Sequence, residues 1–231
     1  RECENHPLAH VRNAAEVHAF RWPRPEDCDF AAIPCLLDAL PRDHVVFCGG
    51  YEPFLLYCYL RGMEQAMVDL VENEEIAEAI LGHLFDYHYR INERVCEAAR
   101  GRADVFGMGE DLGAQDSLLM GLRQIRRYFL PNQKRMADMA RSYGLRIFYH
   151  SDGAIRAVLP DLIAVTGIDI LNPVQWRCPG MEREGLVREF GRRVVFHGAV
   201  DNQQTLPFGT PAEVRREVLD SIAIFRDARW I

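Results

Sequence analysis

His150 and Asp152 stand two residues apart where the apolar run Leu145-Arg-Ile-Phe-Tyr-His150 ends, just before Gly153. Residues i and i+2 of an extended strand point to the same side, so the imidazole and the carboxylate reach toward one point. Both groups ligate zinc and comparable divalent metals, and a catalytic centre needs three protein ligands and an open position. Glu110, Asp111, His197 and Cys178 are the candidates for a third ligand. The plainer alternative is a core histidine beside an aspartate that caps a helix starting near residue 154. A second histidine at another strand end, His197, favours a site over that alternative.

The remaining polar residues sort by what they can do. Glu110 and Asp111 are adjacent, so an extended backbone sends them to opposite sides. One faces the site as a catalytic acid or base, and the other holds a loop or Arg123. His197 is the third catalytic candidate, with Asp201 and Asn202 close behind it. Asn172 and Gln175 are neutral hydrogen-bonding groups suited to orienting a substrate, as are Asp201 and Asn202. Asn172-Pro173 also reads simply as the end of a strand. Cys178, in Trp176-Arg-Cys-Pro-Gly180, has only its loop placement to recommend it as a thiolate ligand.

Such residues need elements to position them. Strands are expected at Val45–Cys48, Asp104–Met108, Leu145–His150, Ile168–Leu171 and Val194–Phe196, with another starting at Trp230-Ile231. Between them lie helical stretches. Asn73 reads as the N-cap of a helix whose apolar face carries Ile76, Ile80, Leu84, Tyr87, Ile91 and Val95, with Gly101 just past its end. Pro131 reads as opening a helix that turns Met136, Met139, Ala140 and Tyr143 inward and closes at Gly144. Helices follow over 154–165 and 181–190, and Thr210-Pro-Ala-Glu213 has the form of a capping box. Residues 1–43 are proline-punctuated and loop-rich, a covering segment of the same domain with Trp22 as a packing anchor, and 44–231 carry the repeats.

Strands apolar on both faces and alternating with helices call for a parallel sheet covered by helices. An open doubly wound sheet and a closed (β/α)8 barrel both satisfy that alternation. Every strand end carries glycine or polar residues, which suits a barrel, where all the strand ends share one rim. An open sheet would use only those at its switch point. Gly107-Met-Gly109-Glu-Asp-Leu112 lacks the third glycine of a dinucleotide loop and places carboxylates where a pyrophosphate would sit. The chain starts at Arg1 and stops as a strand begins, so the expected barrel is incomplete at both ends and part of a longer polypeptide.

A net charge of −7 leaves no basic footprint for nucleic acid or an anionic membrane surface. No apolar run nears the roughly 20 residues that span a bilayer, and the first residues lack the layout of a signal peptide, so a cytoplasmic location is expected. Seven cysteines without a C-x-x-C pair indicate reduced thiols, not a disulfide framework or a zinc ribbon.

Phe148-Tyr-His-Ser-Asp-Gly153, Ile168-Asp-Ile-Leu-Asn-Pro-Val-Gln175 and His197-Gly-Ala-Val-Asp-Asn202 with Thr205-Leu-Pro-Phe-Gly-Thr-Pro211 together resemble the uroporphyrinogen decarboxylase superfamily. That superfamily includes the cobalamin-dependent methyltransferases, and the resemblance runs from Tyr51 to the end, strongest over 145–211. It implies a (β/α)8 TIM barrel. His150 matches the first zinc ligand of the methyltransferases' H-x-C motif, where zinc lowers a thiol's pKa so that the thiolate attacks a methyl–cobalt centre. Here the motif is His150-Ser-Asp152, with aspartate, a harder and less electron-donating ligand, in place of cysteine. The methyltransferases' further cysteine ligand follows the eighth strand, beyond Ile231.

The resemblance therefore implies a divalent-metal methyltransferase, zinc being the expected metal at His150 and Asp152, acting with a corrinoid (cobalamin) protein. The alternative it carries is metal-free decarboxylation of a porphyrinogen-like polycarboxylate held by arginines. A non-catalytic ligand-binding barrel is the second alternative. The partners expected are a small-molecule substrate, a corrinoid protein and a second copy of the chain as a homodimer, with neither nucleic acid nor membrane.

Overall fold

The computed structural model describes residues 5–231. The segment before the sheet holds two short helices, α1 (Ala14–Ala19) and α2 (Ile33–Asp38), which pack on a long helix further along the chain. Then come β1 (Phe47–Cys48), α3 (Pro53–Arg61), α4 (Met63–Glu72), α5 (Glu74–Ala99) and β2 (Val105–Gly109). α6 (Leu122–Gln124) runs through a π-helical turn, Ile125–Phe129, into α7 (Leu130–Ser142), and β3 (Arg146–His150) follows. The remainder is α8 (Leu159–Asp161), β4 (Ile170–Asn172), α9 (Arg183–Phe190), β5 (Val195–Phe196), α10 (Thr205–Phe208), α11 (Pro211–Ile224) and β6 (Arg229–Trp230).

All six strands are parallel and lie in chain order, β1 to β6, each joined to the next by helical sequence. This is the α/β arrangement expected, six successive strands of a partial TIM barrel. The alternation along each strand shows which face is which. Phe106, Met108, Ile147, Tyr149, Leu171 and Phe196 are buried under the helices, while Gly107, Phe148, His150, Ile170, Asn172 and Val195 on the other face are only partly so. The sequence expectation of two covered faces is thus corrected to one. On the inner face Phe47 remains 54% exposed and meets Phe148 edge to face at 5.1 Å.

Two aspartates fasten the amino ends of the strands. Asp104 accepts the Val46 N–H at 2.8 Å, and Asp169 accepts that of Ile147 at 2.8 Å, each pairing a neighbouring strand's backbone before the ladder starts. Because Val46 is held this way outside the regular ladder, β1 is shorter than the Val45–Cys48 run predicts.

Several helix signals resolve differently from their sequence reading. Asn73 stands at the N-cap position of α5 as expected but makes no side-chain cap bond; its amide donates to Asp69 at 2.9 Å. The buried stripe of α5 follows Ile76, Ile80 and Leu84 as expected, then shifts to Phe85, Asn92 and Cys96, leaving Tyr87, Ile91 and Val95 half-covered. Arg100 as well as Gly101 takes a left-handed conformation past its end. Pro131 stands in the first turn of α7, as expected. It lies just beyond the π turn, in which the Leu130 N–H bonds Ile125 five residues back, so a residue without an N–H fits inside a continuous helix. The helix expected over 154–165 starts only at Leu159 and ends in a second π turn, Leu162–Thr166. The capping box at Thr210 and Glu213 forms as the spacing dictates.

The N-terminal segment is tied down by a buried ion pair. Arg61, at the end of α3, bonds Asp69 of α4 at 2.6 Å and also donates to the Leu8 and Ala9 carbonyls at 2.6 and 3.0 Å. Trp22 packs as an anchor, its ring stacked on His83 at 4.6 Å and its N–H on the Val17 carbonyl. Among the described residues, no helix is long and apolar enough to cross a membrane. The six described cysteines are free thiols, and Cys3 lies outside the described residues.

With Arg61 4% exposed and Asp69 fully buried, removing one partner strands a charge in the interior. Asp69→Ala is expected to cost about 3–5 kcal/mol in urea unfolding, far above the ~1 kcal/mol ceiling of an exposed pair.

Candidate metal centre

The loops that leave β2 and β3 touch backbone to backbone. A Cβ added to Gly113 would lie 2.6 Å from the Asp152 carbonyl, and one added to Gly153, whose φ is +82°, 2.4 Å from the Ala114 carbonyl. The contact is stitched by Ala154 N–H to Ala114 O at 2.8 Å and Leu112 N–H to the Ser151 hydroxyl at 3.1 Å. Closest to the site, the Asp152 N–H donates to Asp111 Oδ1 at 3.0 Å. Glycine at both positions is therefore what allows Asp111 to stand beside His150 and Asp152.

Those three residues form a cluster whose ligand atoms all lie within 4.8 Å of one another. His150 Nε2 is 3.6 Å from Asp111 Oδ1. Its other nitrogen, Nδ1, is 2.7 Å from Asn172 Oδ1; donating there leaves the Nε2 lone pair free for a ligand role. Burial raises the Asp152 carboxyl's pKa; His150 opposes that shift and Asp111 adds to it. Two carboxylates and an imidazole, close together with no lysine or arginine among the described residues bonded to any of them, are a donor set that a divalent cation satisfies. The three residues could hold a metal ion, Asp111 being the third of them.

The other candidates are placed elsewhere. Glu110 turns away from the cluster to the helix-covered side of the sheet. It is fully buried, one carboxyl oxygen accepting the Phe54 N–H at 2.9 Å and the other without a partner. It thereby caps the first turn of α3 from across the sheet; it meets neither Arg123 nor the cluster. Desolvation raises its pKa well above the ordinary value, against the lowering effect of the Phe54 hydrogen bond and with a smaller rise from Glu52 and Asp111. Cys178 also stays outside the cluster. Its thiol is buried, faces the side-chain oxygens of Gln175 and Gln115 at 3.8 and 3.9 Å, and is held protonated by burial and by Asp152 and Asp201. His197 Nδ1 lies 2.6 Å from the Asn172 amide nitrogen, one residue removed from the cluster.

Of the residues expected to bind substrate, Asn172 hydrogen-bonds His150. Gln175 accepts the Gly153 N–H at 2.7 Å and so holds the turn behind Asp152. The Asp201 carboxylate is taken up by the Gln203, Gln204 and Thr205 N–H groups and by Arg177. Burial alone would raise its pKa, but these bonds keep it low. Asn202 lines a small pocket with Gln175, Cys178 and Asp201. The open cleft beside His150, of about 290 Å³, is formed by β1, β2 and β3 and the residues after β1, including Phe47, Gly49, Gly50, Glu52, Gly107 and Phe148. Gly49-Gly50 reads from sequence as a close-approach point. The role of Gly113 does not, since only its partner 40 residues on explains it.

No protein-family model matches the sequence, and no curated protein does. Among solved structures, the fold is similar to that of a methyltransferase from Methanosarcina mazei, with a TM-score of 0.65 at 16% identity. The match covers 87% of this chain and 56% of that one, so the chain spans little more than half the length of its structural relative. The likeness is one of fold: both chains carry the α/β architecture derived above.

Glu110 gives a pH signature. Its folded pKa exceeds its unfolded value, so above pH 4.5 the native state retains a proton the unfolded state has released, and stability falls as pH rises. Glu110→Gln removes that slope while keeping an oxygen for the Phe54 N–H. Measured by urea unfolding at pH 5 and pH 8, the variant should gain on the parent at the higher pH.

Proposed function

We propose that the chain belongs to an enzyme of the uroporphyrinogen decarboxylase superfamily that binds a divalent metal and transfers a methyl group in concert with a corrinoid protein. The observation that carries this reading is the convergence of Asp111, His150 and Asp152 at the carboxyl ends of two adjacent barrel strands. A rim centre is where a barrel assembles its chemistry. The fold shared with a solved methyltransferase supports the reading, as does the sequence resemblance of His150 to the histidine of the cobalamin-dependent methyltransferases' ligand motif.

Asp111, His150 and Asp152 would hold the metal, and the Asn172 carbonyl oxygen would fix the imidazole's orientation. Once bound, the metal would lower the pKa of a substrate nucleophile such as a thiol, so that the nucleophile is anionic at neutral pH. Zinc is the expected metal, and two oxygen donors in place of thiolates also suit harder divalent ions. The substrate would enter through the cleft formed by β1, β2 and β3, where Phe47 and Phe148 give an apolar wall and Gly49, Gly50, Gly107 and Gly109 allow close approach to the backbone. No lysine or arginine lines this cleft among the described residues, which counts against the alternative of a site that grips a polycarboxylate.

Two measurements test the proposal. Protein purified without a histidine tag and dialysed against zinc, manganese or cobalt should retain about one equivalent of metal, falling below about 0.2 equivalents in His150→Ala. Incubated with methylcobalamin and candidate thiol acceptors, the metal-loaded protein should bleach the methyl–cobalt absorbance. Metal content that is negligible, or indifferent to His150, would remove the basis of the reading.

A further inference from the structure

Across β2, β3 and β4 the strand register sets Gly109, His150 and Asn172 side by side on the inner face, and His197 follows directly after β5, its N–H on the Leu171 carbonyl. Asn172 lies between two imidazoles and meets both through the same kind of atom. Its Oδ1 is 2.7 Å from His150 Nδ1, and its Nδ2 is 2.6 Å from His197 Nδ1. A primary amide has one accepting end and one donating end. Facing two Nδ1 atoms, it accepts from one ring and donates to the other, so only one of the two histidines carries its proton on Nδ1.

We propose that Asn172 locks His150 and His197 in opposite tautomers, so that a metal on His150 makes His197 a fixed N–H donor at the barrel mouth instead of a base. This rests on the metal reading above and adds to it a role for the two residues next to the cluster. With the amide as it stands, His150 donates from Nδ1 and offers a bare Nε2 to the metal. With the amide turned over, neutral His150 would carry its proton on Nε2, the nitrogen 3.6 Å from Asp111, where it cannot ligate. Metal binding therefore selects the first orientation. His197 then accepts at Nδ1, and its only ring proton sits on Nε2.

His197 is held in place for such a role. Phe148 meets its ring edge to face at 5.2 Å, and it leaves the ligand positions to Asp111, His150 and Asp152. Asn172 acts through the histidines and is a positioning residue. A donor at this strand end suits an oxygen or nitrogen acceptor on the substrate, and a residue that cannot accept a proton at Nδ1 is a poor general base there.

Long-range 15N–1H correlation spectra of histidine-labelled protein read the tautomers directly. In the zinc-loaded parent, His197 should show a bare Nδ1 and a protonated Nε2. Asn172→Asp replaces the donating end with a second acceptor, so His197 should move its proton to Nδ1 while His150 keeps its own tautomer and zinc is held at least as tightly. Asn172→Leu removes the orienting partner, and zinc affinity should fall about 10–100-fold. The proposal is overturned by a protonated His197 Nδ1 in the zinc-loaded parent, by an unmoved His197 proton in Asn172→Asp, or by undiminished affinity in Asn172→Leu. Should the parent bind no metal at all, the metal function falls, and spectra of the metal-free protein at alkaline pH still decide the amide coupling: opposite tautomers uphold it and like tautomers overturn it.

Discussion

The approach of the β2 and β3 loops, glycine against backbone, is the constraint on which the centre depends. A side chain at Gly113 or Gly153 would collide with peptide atoms that cannot yield, because those atoms are themselves engaged in hydrogen bonds between the loops. The same approach delivers Asp111 to the N–H of Asp152, so the bond that seats one proposed ligand is made by the backbone of another. Ligand placement here is a property of the main chain. It is less dependent on rotamer choice than a site assembled from long side chains would be.

Adjacent residues in this loop meet very different surroundings. Glu110 and Asp111 are neighbours in sequence, yet the pleat sends one under the helices and the other to the rim. The buried partner, its pKa raised by desolvation, does structural duty at the start of α3. The exposed partner stands beside His150 and Asp152. Period-two alternation was enough to foresee the division, but not which residue went where.

Much of the framework could be read from the amino acids. Strand positions, the sequential parallel order, the Thr210 capping box and the pairing of His150 with Asp152 all follow from periodicity and local chemistry. What resisted reading has a common character. The Asn73 side chain bonds Asp69 and leaves the start of α5 without a side-chain cap, Gln175 accepts from Gly153, and Asp201 accepts from the loop after β5. Each outcome turns on a competition for a hydrogen bond, and the winner depends on which group burial brings near. A residue type signals what it can bond, whereas the fold decides what is left to bond with.

The aspartates at the amino ends of the strands have a consequence for the whole barrel. β1 pairs with β2 through only two residues and β3 with β4 through three, too few for the ladder alone to define its alignment. A one-residue slip between strands would turn every inner-face group outward and dismantle the row from Gly109 to His197. Asp104 and Asp169, each gripping the backbone of the neighbouring strand, act as indexing pins. They set the count from the far end of the sheet, so the rim, some five residues along, is free to change its side chains without losing its place.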